Sequence, residues 1–281
     1  MNGKKIVITG ASGFLGRHLL KVLREEPGLQ ICALSSRPEE LSEETGAQEI
    51  IFLHKDAVFG PEAEEILRGA VVIHCAYPRN SKGAEIADGL LYIRRVFEAA
   101  AEHHAAAVIN ISSQSVYPSD RALPAKEDTP LSLENSYAVG KYAVELMLEG
   151  ILSGTETAFT SLRMASLIGP GFDQRIVNRF VKQALESGAV TVRKNRQQFG
   201  FMDVLDAAEA IARIALSDPR KWERVYNIGP ERSVTLTEIA DTVASVTKES
   251  CGRNTTVTVT EGEESSSSAV DASLFKAAFG E

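Results

Sequence analysis

The chain has 281 residues, 44% of them hydrophobic and 24% charged, with a formal net charge of −8. That length buries a full core, as one large domain or two intimate ones, and the acidic balance argues against a nucleic-acid partner. No apolar run approaches the ~18 residues of a membrane span, and residues 1–5 lead straight into an apolar strand pattern, so a cytoplasmic protein without a secretory signal is expected.

The first predicted strand, Ile6–Thr9, is short, apolar and β-branched. It runs into Gly10-Ala11-Ser12-Gly13-Phe14-Leu15-Gly16, and helical periodicity follows from Phe14 to Arg24 through Leu15, Leu19, Val22 and Leu23. Strand, glycine turn and helix together let a backbone approach a pyrophosphate, whose charge suits the free N–H groups and dipole of a helix N-terminus. The glycines are spaced three and three, not in the two-then-three of G-x-G-x-x-G. Further strands are predicted over Gln30–Leu34, Glu49–Leu53, Val71–Cys75, Val108–Ser112 and Phe159–Arg163, alternating with helical stretches that include Ala84–His104 and Tyr137–Gly150. This alternation predicts an α/β doubly wound parallel sheet of the Rossmann type. Residues 1–165 are read as a dinucleotide-binding domain completed by 201–228, where Asp206 opens a helix and Val225–Ile228 forms a strand. Residues 166–200 and 229–281 are read as a smaller substrate-binding part. Glu261–Ser268 is expected to be a solvated loop, His103-His104 a solvated helix end, and Cys32, Cys75 and Cys251 buried reduced thiols outside any metal pattern.

Two features carry chemistry. Tyr137 and Lys141, four apart, share one helical face, where an ammonium favours the phenolate and makes the tyrosine a plausible acid/base. Ser112 and Ser113 sit at the carboxyl end of a central strand, the place where open parallel sheets bind ligands. Without the Tyr-Lys pair, the same serines would read as turn residues.

On these residues the chain resembles the extended short-chain dehydrogenase/reductases, the NAD-dependent epimerase/dehydratase group. Thr9-Gly10 to Gly16 matches T-G-x-x-G-x-x-G, Val72-Ile73-His74-Cys75-Ala76 the ending of strand four, Ser112-Ser113-Gln114-Ser115-Val116-Tyr117 the S-S-x-x-V-Y, and Glu127-Asp128-Thr129-Pro130 the E-D-x-P. Ser161-Leu162-Arg163, Ile168-Gly169-Pro170-Gly171 and Tyr226-Asn227-Ile228-Gly229 match later motifs. The resemblance implies Ser113, Tyr137 and Lys141 as catalytic residues. It places a cofactor against Gly10, Ser12, Gly13, Phe14, Leu15, Gly16, Asp56, Ala57, Cys75, Ala76, Tyr77, Tyr137, Lys141 and Met164. Ser35, Ser36 and Arg37 end the second strand without the acid that NAD enzymes carry there, which favours NADP over NAD as the expected cofactor. Ser115, Tyr77 and Phe199 are expected at the substrate. Phe199 stands where the family often has a diphosphate-clamping arginine, for which Arg193, Lys194 or Arg196 are candidate substitutes.

The turn Tyr77-Pro78-Arg79-Asn80 is bulkier than the family's. Gln114 and Ser115 replace the Asp-Glu pair of dehydratases, which ranks dehydration last. The implied activity is that of a nucleotide-sugar epimerase or reductase. The alternatives are an NADP-dependent reductase of a smaller carbonyl compound and a non-enzymatic dinucleotide-sensing protein. A homodimer through the Ala84–His104 and Tyr137–Gly150 helices, with Tyr142, Leu146 and Met147 as its seam or as intramolecular core, is a further implication of the resemblance.

Overall fold

The computed structural model describes residues 3–78, 83–172, 175–194, 196–262 and 266–280, without the side chains of residues 175 and 194. The expectations for Arg79, Asn80 and the Lys194 side chain lie outside it. In chain order the first half runs β1 (Lys5–Thr9), α1 (Phe14–Leu23), β2 (Gln30–Ser35), α2 (Pro38–Thr45), β3 (Ile50–His54), α3 (Ala63–Leu67), β4 (Val71–His74), α4 (Ala84–Glu102), β5 (Ala107–Ser113), α5 (Ser136–Leu152) and β6 (Ala158–Met164). The second half adds β7 (Ser166–Ile168), α6 (Arg175–Ser187), β8 (Ala189–Lys194), β9 (Phe201–Asp203), α7 (Val204–Leu216), β10 (Val225–Ile228), α8 (Leu236–Cys251), β11 (Thr256–Glu261) and α9 (Ser273–Phe279).

Seven strands form one sheet in the order β10-β6-β5-β4-β1-β2-β3, every neighbouring pair parallel. A parallel sheet covered on both faces needs strands that are apolar on both sides, so its strands read as continuous Val/Ile/Leu runs. The period of two still sorts the residues. Ile6 and Ile8 pack with Leu15 and Leu19 of α1 and Ile211 of α7, while Val7 between them packs with Ile93 and Phe97 of α4 and Val144 of α5. The strand order reverses between β1 and β4, which opens a crevice at their carboxyl ends.

A second core lies outside the sheet, where Phe180 and Ala184 of α6 meet Val190 and Val192 of β8 and Leu236, Ala240 and Val243 of α8. β8 pairs with β11 and β7 with β9, each pair parallel.

Several expectations are corrected here. Residues 201–203 pair with β7 instead of joining the main sheet. α7 opens at Val204, not at Asp206: Asp203 takes extended backbone angles (φ −60°, ψ 142°) and its carboxylate accepts the Leu205 N–H at 2.7 Å, the arrangement that an N-cap requires. α9 belongs to the main core and not to the smaller part, because Phe275 and Phe279 pack their rings on Tyr226 of β10. Ser266–Ser268 are not a solvated loop: Ser266 accepts the Gln198 N–H at 2.8 Å, and the Ser268 hydroxyl accepts that of Gly200 at 3.0 Å. Cys32 is buried, but Cys251, at the last turn of α8, is exposed. No helix among the described residues is long and apolar enough to cross a membrane.

Candidate active site

The site assembles at the carboxyl edge of the sheet. β1 ends at Thr9, whose hydroxyl bonds the His74 ring at 2.8 Å. His74 is fully buried, and desolvation pushes its pKa down to about 3, so the ring is neutral and structural. Gly10 turns the chain with φ +66°, and a methyl group on it would overlap the Ala76 backbone. A side chain on Gly16 would collide with the Gly10 carbonyl and Ala11. α1 starts behind Gly13 with no side-chain cap, which leaves the N–H groups of its first turn available. A cradle that a Cβ would fill, under an uncapped helix start, fits the pyrophosphate of a dinucleotide.

One cavity of about 530 Å³ runs from this turn across the sheet edge. Gly13, Phe14 and Leu15 line it on one side; Cys75 and Tyr77 after β4, residues 111–115 at the end of β5 and just beyond it, Tyr137 and Lys141 of α5, and Met164–Leu167 with Phe172 line the rest. Phe172 stacks on Phe14 at 4.4 Å between ring centroids, and both rings line the cavity. Burial pushes the Cys75 thiol up to about 12, so it stays protonated.

Ser113 is held by its neighbours, its Oγ accepting the Ser115 N–H at 3.2 Å and the Ser115 hydroxyl at 3.0 Å. α5 starts behind Asn135, whose side-chain oxygen accepts the Ala138 N–H at 2.9 Å and so fixes the turn that carries Tyr137. Lys141 is buried, and its Nζ donates to the Ile111 carbonyl at 2.8 Å. It lies 4.1 Å from the Tyr77 ring centroid and 5.8 Å from that of Tyr137. The two tyrosine rings meet edge to face at 5.4 Å. Gly140 makes this arrangement possible, because the Tyr77 phenol oxygen occupies the space of a Cβ there.

Beneath the site lies a buried polar network. The Arg163 Nη2 donates to Glu145 at 2.8 Å, both side chains under 8% exposed, and the Ser112 hydroxyl donates to the same carboxylate. Arg163 also donates to the Tyr117 hydroxyl, which donates to Asn227 at 2.8 Å; the Asn227 N–H in turn donates to Glu127 at 2.7 Å. The motif residues Tyr117, Glu127, Arg163 and Asn227 are thus mutual partners that clamp β5, β6, β10 and α5. In the sequence they were visible only as motif positions, with nothing to show that they touch.

The remaining predicted residues scatter more widely. Ser35 is buried and its Oγ accepts the Arg37 N–H at 3.0 Å, whereas Ser36 and Arg37 are exposed. The Arg37 guanidinium pairs with Glu40 at 2.9 Å. Asp56 is half-exposed and receives the Lys55 ammonium at 2.7 Å; Ala57 begins a short 3₁₀ turn. Ser12 is half-buried on the glycine turn, with its carbonyl accepting from Arg17. Phe199 is away from the cavity lining. It stacks on Phe201 at 5.5 Å and packs on the second core, its backbone paired with Val234. Tyr142 and Met147 pack within the chain, while Leu91, Val139 and Leu146 are about half exposed on α4 and α5.

A doubly wound parallel sheet with a glycine turn at its switch point defines a Rossmann-type dinucleotide-binding fold. The chain belongs to the NAD dependent epimerase/dehydratase family, whose model matches residues 6–229. It is 24% identical over 234 residues to the sterol-4-alpha-carboxylate 3-dehydrogenase (decarboxylating) of Saccharomyces cerevisiae, covering 76% of this chain and 66% of that one. The fold is similar to that of UDP-N-acetylglucosamine 4-epimerase from Bacillus cereus (TM-score 0.77, 22% identity, 98% of this chain and 89% of that one). It is equally similar to the Bordetella bronchiseptica enzyme WbmH in complex with NAD+ (TM-score 0.77, 21% identity, 99% and 92%).

Proposed function

We propose that the protein is an NAD-dependent enzyme that moves a hydride at a sugar hydroxyl or keto carbon of a nucleotide sugar, as an epimerase or a reductase. The observation that carries this reading is the single cavity where Ser113, Tyr137 and Lys141 meet the glycine turn. Ser113 Oγ already accepts two hydrogen bonds from Ser115, which leaves its own O–H to donate to the substrate oxygen. Tyr137 takes the hydroxyl proton in the oxidising direction and returns it in the reducing one. Lys141, fixed by the Ile111 carbonyl, holds positive charge beside that phenol and favours its phenolate form. NAD, when bound, supplies the acceptor for the hydride that leaves the substrate carbon. Gly10, Gly13, Phe14, Leu15 and Gly16 would hold its pyrophosphate, Cys75, Ala76, Tyr77 and Met164 the nicotinamide side, and Ser12, Ser35, Ser36, Asp56 and Ala57 the adenosine side.

NAD is favoured over NADP at the tip of β2. The Arg37 charge that would read a 2′-phosphate is engaged by Glu40, and Glu39 lies in the same first turn of α2. The NADP expectation, which rests on Ser35, Ser36 and Arg37 and on the missing acid at the strand end, thereby has its one cationic group shared with Glu40. The exposed Leu91, Val139 and Leu146 are the face that we assign to a homodimer.

A second reading, reduction of a smaller carbonyl compound, is favoured by one observation: Phe199 is committed to the second core, and Arg193 and Arg196 are exposed, so among the described residues the cavity lining holds no arginine for a diphosphate. The test is to denature fresh protein and weigh the released nucleotide. Stoichiometric NAD supports the epimerase, whereas an empty protein that prefers NADPH overturns it in favour of the reductase. Tyr137→Phe should abolish turnover with cofactor binding nearly intact; retained turnover would remove Tyr137 from the chemistry.

A further inference from the structure

Gln114 begins the short 3₁₀ turn Gln114–Val116 directly after Ser113 and lines the cavity. Its Oε1 accepts a hydrogen bond from Arg121 Nη2 at 2.8 Å. A guanidinium has five N–H donors and no acceptor, so the carboxamide can be oriented only one way, oxygen toward Arg121. Arg121 itself lies outside the lining, so the Gln114 amide nitrogen is the side-chain donor that the pair has to offer a ligand. Among the described residues that nitrogen has no protein acceptor.

Arg121 is braced for this task. Its Nε and Nη2 both donate to the Ala269 carbonyl, at 3.2 and 3.0 Å, and its Nη1 donates to that of Pro118 at 2.5 Å. These acceptors are all neutral. Among the described residues, the carboxylate in electrostatic reach of Arg121 is that of Glu134, whose Oε1 accepts the Ser119 N–H at 2.9 Å. The guanidinium is half-buried, so its charge is poorly screened. It polarises the amide in front of it and strengthens the outward N–H as a donor. Among the described residues, the cavity lining contains one ammonium, Lys141, and no carboxylate.

We propose that the Gln114–Arg121 pair is a specificity element that receives an anionic oxygen, a carboxylate carried by the substrate beside the carbon that Ser113 and Tyr137 handle. The inference rests on the proposed function for the location of that carbon. It also explains why glutamine here is incompatible with elimination chemistry yet useful. A carboxamide cannot shuttle a proton, but it can present a fixed donor to an anion.

The experiment compares two ligands that differ at one group, UDP-glucuronic acid and UDP-glucose, by calorimetric titration of the cofactor-loaded protein, with NAD content checked in each sample. Wild type should bind the acid at least 10-fold more tightly. Gln114→Glu keeps an acceptor for Arg121 but removes the donor and adds a like charge; it should erase or invert the preference while the Kd for UDP-glucose moves less than 3-fold. Gln114→Leu should erase the preference without inverting it. An equal Kd for both ligands in wild type, or a preference that survives Gln114→Glu, overturns the proposal. The same proteins are read by saturation-transfer NMR with free glucuronate against free glucose. Failure of both UDP sugars to bind then counts against the nucleotide-sugar reading alone, and the free-sugar comparison decides this one.

Discussion

Replacing Gly140 by alanine probes the most unusual packing in the site. In the interior of a helix Gly→Ala ordinarily stabilises by about 1 kcal/mol. In α5 the new Cβ would overlap the Tyr77 phenol oxygen and lie 3.3 Å from its Cζ. The ring cannot slide freely, because it is held between Lys141 at 4.1 Å and the edge of Tyr137 at 5.4 Å. Overpacking of this kind costs about 1–3 kcal/mol, so Gly140→Ala should destabilise by up to about 2 kcal/mol. In a Tyr77→Phe background the offending oxygen is gone and the remaining 3.3 Å contact needs only a few tenths of an ångström of relief. There the same substitution should be neutral or stabilise by up to about 1 kcal/mol. The coupling between the two sites is then about 1–3 kcal/mol. At about 2.1 cal/mol/K of unfolding entropy per residue, 1 kcal/mol moves the Tm of a chain this long by about 1.7 °C. Calorimetry on the four proteins measures the cycle. A Tm that rises by the same amount in both backgrounds would refute the idea that glycine is there to seat the phenol.

Three further outcomes follow from the geometry. Glu145→Leu strands the Arg163 charge in a dry site and should cost about 3–5 kcal/mol, with Glu145→Leu/Arg163→Met recovering most of it; chemical denaturation checks both, and a loss below about 1 kcal/mol would mean that the pair is solvated. For His74 the folded pKa of about 3 lies below the ordinary 6.5, so the unfolded chain binds the extra proton between those values. Its contribution to stability is therefore complete above pH 6.5 and falls by up to about 1.4 kcal/mol per unit as pH drops toward 3; denaturation midpoints at pH 7 and 4.5 that shift equally in wild type and His74→Asn would remove His74 from the acid response. Asp203→Ala should cost about 1 kcal/mol through loss of the α7 cap, whereas Asp206→Ala should cost less than half of that, measured by Tm; the reverse ranking would restore Asp206 as the helix opener.

The sequence by itself determined whatever depends on neighbours along the chain. The six strands predicted before residue 165 end within one or two residues of those in the structure, because a strand buried on both faces must be a continuous apolar run. The glycine turn was legible for the same reason: strand, positive-φ glycine and helix are consecutive. Ser113, Tyr137 and Lys141 were legible as local spacings, and the structure brings all three to one cavity.

What only the tertiary structure decided are contacts between distant segments. The Asn227 side chain bonds the Ala125 carbonyl 102 residues away, and Arg163 meets Glu145 across two elements, although each appeared in the sequence only as a motif position or not at all. Phe199 looked like a substrate residue by alignment with a motif, but the second core that absorbs it is built from α6, β8 and α8, which no local pattern joins. The same holds for Gln114, a poor acid or base when read alone, whose direction is set by an arginine tied to the Ala269 carbonyl near the far end of the chain. Local spacing determines which residues can act together on one helix or turn. Which face they meet is set by a core whose parts are far apart in the chain, and hydrophobic burial, being non-directional, carries no address for its partner in the sequence.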